Sequence, residues 1–229
     1  VETELVAIPG TLCAPEVFSR VAGLLEGRVR VRAVDWMLGE GPCRVENVAE
    51  RIAATLDRPV LLAGHSTGGA IALRLADRHP GLVSGLLLID TGAHMHGHGD
   101  VDKIIETVTT GWGPGLISAV LDRSFARPLP PEERADFLAY AEKVPQDAVL
   151  AALTSQRDLD LTPVLSGLTC PVTVLHGEQD GARPIAQARE MAAAIPGALF
   201  RAVPTGHTPV WEDPETSAEV IRELAARIG

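Results

Sequence analysis

Short apolar runs that alternate with amphipathic stretches predict an α/β fold: a mostly parallel sheet of about six strands flanked by helices. Three observations carry that prediction. The run 59–63 is continuously apolar and 83–89 is apolar but for Ser84, as strands buried on both faces of a parallel sheet are. Between the runs stand segments of helical spacing, such as Val48, Ile52 and Leu56. With 229 residues and 46% hydrophobic side chains there is material for a core, which excludes a disordered chain.

Each element follows in order. Residues 4–8 form the first strand candidate, stopped by Pro9-Gly10. A helix is expected over 15–25, with Pro15 at its start, where the missing N–H costs nothing. Residues 29–35 read as a strand, Val alternating with Arg before the run turns apolar. Helical spacing over 45–56, the strand 59–63, a helix over 68–78 and the strand 83–89 come next. Strands at 171–175 and 198–203 complete the six, each followed by a helix. The stretch 92–167 breaks this rhythm, with amphipathic segments, no strand, and Pro114, Pro130-Pro131 and Pro145 where helices should begin. The chain therefore divides into a sheet core, 1–91 and 168–229, and a helical lid (cap), 92–167. The lid is placed at the carboxyl edge of the sheet, where open α/β sheets bind ligands.

Charge narrows the partners. Lys and Arg total 20 against 30 acidic residues, a formal net charge of −10 that repels polyanions, so nucleic acid and anionic membrane are not expected partners. No apolar run approaches the roughly 18–20 residues that span a bilayer. Cys13, Cys43 and Cys170 are odd in number with no CxxC pair, which fits buried thiols in a reducing, cytoplasmic compartment. A small molecule is the expected partner, and oligomeric state is left open.

The strongest chemical signal is Gly64-His65-Ser66-Thr67-Gly68-Gly69, directly after a buried strand and directly before a helix. A serine hydroxyl is a weak nucleophile unless it is presented to a base and an anion hole. A tight strand–turn–helix does so, and the small residues two before and two after Ser66 let the backbone bend and pack. The helix N-terminus beyond it favours developing negative charge.

On these residues, with Pro9-Gly10-Thr11, Gly177-Glu178-Gln179-Asp180 and Gly206-His207 in order, the chain resembles the α/β-hydrolase superfamily over nearly all its length outside the insertion. It is most similar to small enol-lactone hydrolases, cofactor-free haloperoxidase/perhydrolases and esterases. The resemblance implies a catalytic triad of Ser66, Asp180 and His207. His207 would take the Ser66 proton and Asp180 would fix the imidazole tautomer. Asp90, which also ends a strand, is the alternative acid; otherwise it reads as a cap for the following segment. An oxyanion hole is expected from the Thr67 N–H and that of Thr11 or Leu12, with the Thr11 hydroxyl as a further donor. Two departures from the family stand out: Pro9-Gly10 where relatives carry His-Gly, and Asp35-Trp36-Met37-Leu38-Gly39 on a pocket-bordering loop.

Further pocket candidates are Trp36, His94, His96 and Trp112, with Phe125 or Phe137 as liners. His94, His96 and His98 alternate, but their spacing is not that of a metallo-hydrolase, so neither a metal nor a cofactor is expected. Trp211 and Glu212 read as packing and loop bracing. The expected activity is hydrolysis of an ester or lactone of a small, largely apolar molecule through an acyl-serine. The same triad also suits C–C bond hydrolysis, perhydrolysis or cyclisation, and the fold suits a small-molecule sensor with little turnover.

Overall fold

The structure is a computed structural model that describes residues 3–96 and 99–228. Strands β1 (Thr3–Ile8), β2 (Val29–Ala33), β3 (Val60–His65), β4 (Val83–Ile89), β5 (Val172–Gly177) and β6 (Leu199–Val203) form one sheet. Its order is β2-β1-β3-β4-β5-β6, and every neighbouring pair is parallel. Strand β3 runs two residues beyond the expected 59–63, because Gly64 and His65 still pair with Leu88 and Ile89. The strand expected to reach residue 35 stops at Ala33, the last residue in register with β1.

Side-chain alternation divides the core into two layers. Val6, Ile8, Leu62, Leu88 and Val174 face α2 (Val45–Ala53), α3 (Thr67–Arg78) and α9 (Ile185–Ala194). Leu5, Ala7, Leu61, Ala63, Leu87 and Leu175 face the opposite way, onto α1 (Ser19–Leu25) and the C-terminal helix α11 (Pro214–Ala226). A period of two along each strand imposes that division. The expected helix 15–25 is in two parts: a 3-10 turn over Pro15–Phe18, then α1.

Between β4 and β5 stand α4 (Val101–Gly111), α5 (Pro114–Arg123), α6 (Pro131–Ala141), α7 (Gln146–Arg157) and α8 (Thr162–Leu165). Proline opens α5 and α6, and Pro145 precedes α7, positions where proline's fixed φ suits a helix start. Hydrogen bonds tie these helices to the sheet domain; among them, Tyr140 Oη donates to Asp35 Oδ1 (2.7 Å) and the Val45 N–H to Ser155 Oγ (3.0 Å). Helices α9 (Ile185–Ala194) and α10 (Pro209–Glu212) follow β5 and β6. Among the described residues, no helix is long and apolar enough to cross a membrane.

The strand order locates a crevice. The connection leaving β1 goes to β2 on one side, while β3 pairs on the other side of β1. Diverging connections leave an opening at the carboxyl ends of β1 and β3, the usual ligand position in an open parallel sheet. Residues 9–13 and 65–67 border that opening.

Candidate active site

Ser66 sits at the turn between β3 and α3 with φ 53° and ψ −119°, a backbone that L residues rarely adopt. Three hydrogen bonds hold it there. The Ser66 N–H donates to Ile89 O (2.9 Å), while Ser66 O accepts from the Gly69 N–H (2.9 Å) and the Thr91 hydroxyl (2.7 Å). The surrounding structure thus over-determines a strained residue, the condition under which such strain persists. A Cβ on Gly68 would lie 2.0 Å from Ile8 O, so glycine there lets α3 start directly against the end of β1.

His207 follows β6 and is 7% exposed. Its Nδ1 pairs with Asp180 Oδ2 at 2.7 Å, which leaves Nε2 as the ring nitrogen free for the cavity that Ser66 and His207 both line. The buried His65 ring donates from Nε2 to His207 O (2.7 Å), fixing the backbone of that loop. Burial drives the His65 pKa down to about 3, so the ring is neutral at ordinary pH. Close backbone contact brings the two loops together: a Cβ on Gly177 would lie 1.9 Å from Gly206 O. Glu212 braces the same loop, accepting from the Gly206 N–H (2.7 Å) and the Ala126 N–H (2.8 Å).

The two acids differ in environment. Asp180 Oδ1 accepts from the N–H groups of Ala182 (2.7 Å) and Arg183 (3.0 Å). Burial alone would raise its pKa, but the hydrogen bond and charge of His207, with help from Asp90 and the Arg183 N–H, hold it well below the usual carboxylate range. Asp90 is fully buried at the end of β4 with φ 44°, and its Oδ1 accepts from the Gly177 N–H (2.9 Å). Burial first, then the charge of Asp180, pushes its carboxyl well above the usual carboxylate range. Asp90 thus staples β4 to β5; the expected cap for the following segment is corrected by that bond to Gly177. Asp90, Asp180 and His207 bring possible ligand atoms within 4.8 Å of one another. The His207 and Asp180 atoms are engaged in the 2.7 Å pair, so the three read as an acid–acid–base stack.

The loop after β1 turns tightly, the Cys13 N–H donating to Gly10 O (3.2 Å) with Leu12 at φ 62°. The Leu12 N–H is spent on Met37 Sδ (3.3 Å), which leaves Thr11 as the loop residue whose N–H can join that of Thr67. Thr67 opens α3, so its N–H has no acceptor within the helix. The Thr11 hydroxyl, expected as an oxyanion donor, instead pairs with Thr67 Oγ1 (2.8 Å), which donates to Gln156 Oε1 (2.9 Å). Both anion-facing segments are thereby tied to α7.

Four expected pocket residues lie elsewhere. Trp36 is 2% exposed and its indole donates to Pro9 O (2.9 Å), so it supports the loop from beneath. Trp112 packs half-buried against the core at the end of α4. His94 borders a separate shallow depression with Thr162 and Glu190, and His96 is exposed. His98 falls outside the described residues. The cavity is walled by the expected Phe125 and Phe137 together with Ile117 and Leu153, and the polar side chains in it that sequence reasoning missed include Gln156, Arg183 and Arg123. Gln156 was legible in part: it falls on the buried face of α7 with Val149 and Ala152. Arg183 carries no such signal.

Comparison with known proteins agrees with this architecture. The chain is 28% identical to the pimeloyl-[acyl-carrier protein] methyl ester esterase of Aromatoleum aromaticum, over 96% of this chain and 97% of that one. Its fold superimposes on the enol-lactonase from Burkholderia xenovorans LB400 with a TM-score of 0.90 (20% identity, 99% of this chain and 92% of that one). It likewise superimposes on the esterase from Exiguobacterium antarcticum with a TM-score of 0.88 (21% identity, 97% and 92%). The profile of the alpha/beta hydrolase family matches residues 5–220, a span that takes in all six strands from Leu5 onward and the Ser66 turn, and the chain belongs to that family.

Proposed function

We propose that the protein is a serine hydrolase that opens an ester or lactone bond through an acyl-Ser66 intermediate. One observation carries the reading: a strained Ser66 shares a cavity with His207, whose Nδ1 is held 2.7 Å from Asp180. With Nδ1 engaged, His207 Nε2 is the base that accepts the Ser66 proton and then returns it to the leaving oxygen. Asp180, ionised and anchored by two N–H groups, stabilises the imidazolium. The N–H groups of Thr11 and Thr67 receive the developing oxyanion. Helices α4–α8 form a lid over the sheet core and keep water from the acyl-enzyme. The apolar walls favour a small, largely apolar acyl group, and the names of the esterase and enol-lactonase relatives support the bond class. The three unpaired cysteines favour a cytoplasmic setting.

Replacing Ser66 with Ala and assaying short-chain nitrophenyl esters and lactones tests this directly. Turnover should fall by at least about a thousandfold. Unchanged turnover would overturn the proposal.

A further inference from the structure

Arg183 is a buried cation with no carboxylate partner among the described residues. It is 3% exposed, in a protein whose formal net charge is −10. Its guanidinium carries five N–H donors. Nη1 makes a long bond to His94 O (3.4 Å), Nη2 reaches only the soft Met95 Sδ (3.1 Å), and Nε is buried with no partner among the described residues. No carboxylate oxygen of the described residues lies within 4.0 Å of it, although eight arginine–carboxylate pairings occur among those residues. The two acids nearest in charge are committed: Asp180 to His207, and Asp90 to the Gly177 N–H. Burial lowers the Arg183 pKa to about 10, which still leaves it fully charged at neutral pH.

Such a group is costly to bury unless something completes its hydrogen bonding. Its position says what could. Arg183 lines the same cavity as Ser66 and His207, as does the exposed Arg123, and both also line a second depression with Asp100 and Lys103. Its main chain is fixed to Asp180 by the 3.0 Å bond, so the cation stands at a set place relative to the reacting groups. The side chain is seated against Gly92, where a Cβ would lie 2.9 Å from Nη1.

We infer that Arg183 is the anion-recognising residue of the pocket, and that the ester or lactone cleaved carries a carboxylate or phosphate group away from the scissile bond. The planar fork would take that group in a bidentate, charge-assisted pair. The inference rests on the serine-hydrolase reading and adds a charged end to its otherwise apolar substrate.

The test compares monomethyl adipate, which bears a carboxylate, with dimethyl adipate, and 2-acetoxyethyl phosphate with 2-acetoxyethanol. For the wild-type protein kcat/KM should be at least about tenfold higher for one anionic member than for its neutral partner. Whichever pair shows it identifies the anion. In Arg183→Met the ratio should collapse towards one, mainly through KM, and Arg183→Lys should keep part of it. A second arm measures binding of adipate and inorganic phosphate to Ser66→Ala protein by calorimetry, with and without Arg183→Met. That arm reads the anion site even where no ester is turned over, so failure of the hydrolase reading remains distinguishable. A wild-type preference for the neutral esters, an equal fall of Arg183→Met on both members of a pair, or anion binding indifferent to residue 183 would each overturn the inference.

Discussion

Gly68→Ala isolates the geometry on which the proposed oxyanion site depends. The added Cβ would sit 2.0 Å from Ile8 O, 2.7 Å from Ile8 C and 2.8 Å from Pro9 O. All three are main-chain atoms, so no side chain can swing aside. Helix α3 and the end of β1 must separate by about 1 Å before the contact reaches the closest approach that real Cβ atoms show. That movement carries the Thr67 N–H away from the Thr11 N–H, across the place where the oxyanion would form. A misplacement of that size costs about 10²-fold in rate, equivalent to roughly 2.7 kcal/mol on the barrier. Overpacking should also lower stability by about 1–3 kcal/mol. At roughly 2–4 °C per kcal/mol for a chain of this size, Tm should drop by several degrees. Gly115→Ala is the matched control, because it lies inside α5 with nothing within 4 Å of the added Cβ. It should stabilise by about 0.5–1 kcal/mol and leave kcat/KM alone. The assay is nitrophenyl ester turnover beside a thermal melt. Wild-type kcat/KM and Tm in Gly68→Ala would refute the reasoning.

Three further outcomes are expected. Asp180→Asn should lower kcat by about 10⁴-fold, whereas Asp90→Asn, which keeps an oxygen acceptor for the Gly177 N–H, should stay within about tenfold; the reverse order in a steady-state assay would make Asp90 the triad acid. Glu212→Ala leaves the Gly206 and Ala126 N–H groups without their acceptor. Gly206 is buried whereas Ala126 is exposed, so denaturant melts should show a loss of about 1–3 kcal/mol from the one buried group, with Glu212→Gln retaining part of it; a neutral result would remove the bracing role. Because His65 is neutral when folded (pKa about 3) and near 6.5 when unfolded, the unfolded state binds the extra proton between those values. Stability should therefore fall as pH drops below about 6.5, by up to about 1.4 kcal/mol per pH unit from this group. His65→Gln should flatten that slope in urea titrations at pH 4 to 7, and an unaltered slope would assign the acid sensitivity to other groups.

The central strands were legible because burial on both faces leaves a nearly continuous apolar run, as in β3 and β4, and their period-two division also sets the two layers of the core. Edges were read less well. The end of β2 depends on when pairing with β1 ceases, and no local residue encodes that. Ser66 was legible from its own neighbours, since the strand, the turn and the helix are all local. Asp180 and His207 lie 114 and 141 residues further on, and only the order of motifs in the resembling family pointed to them. The tryptophans misled for a plain reason. Scarcity of aromatics draws the eye to Trp36, yet a composition carries no direction, and its indole turns inward to Pro9 O. Arg183 and Gln156 escaped for the complementary reason. Long polar side chains are mostly solvated; the helical spacing of Gln156 with Val149 and Ala152 marks only a buried face, and nothing beside Arg183 announces that it folds into a cavity.

The measurement that tests the central claim most directly is intact-mass and peptide mass spectrometry after treatment with a fluorophosphonate. The proposed mechanism predicts one stoichiometric adduct, located on Ser66, lost in Ser66→Ala and strongly slowed in His207→Ala. An adduct on another residue, or full esterase turnover by protein that takes no label, would contradict it.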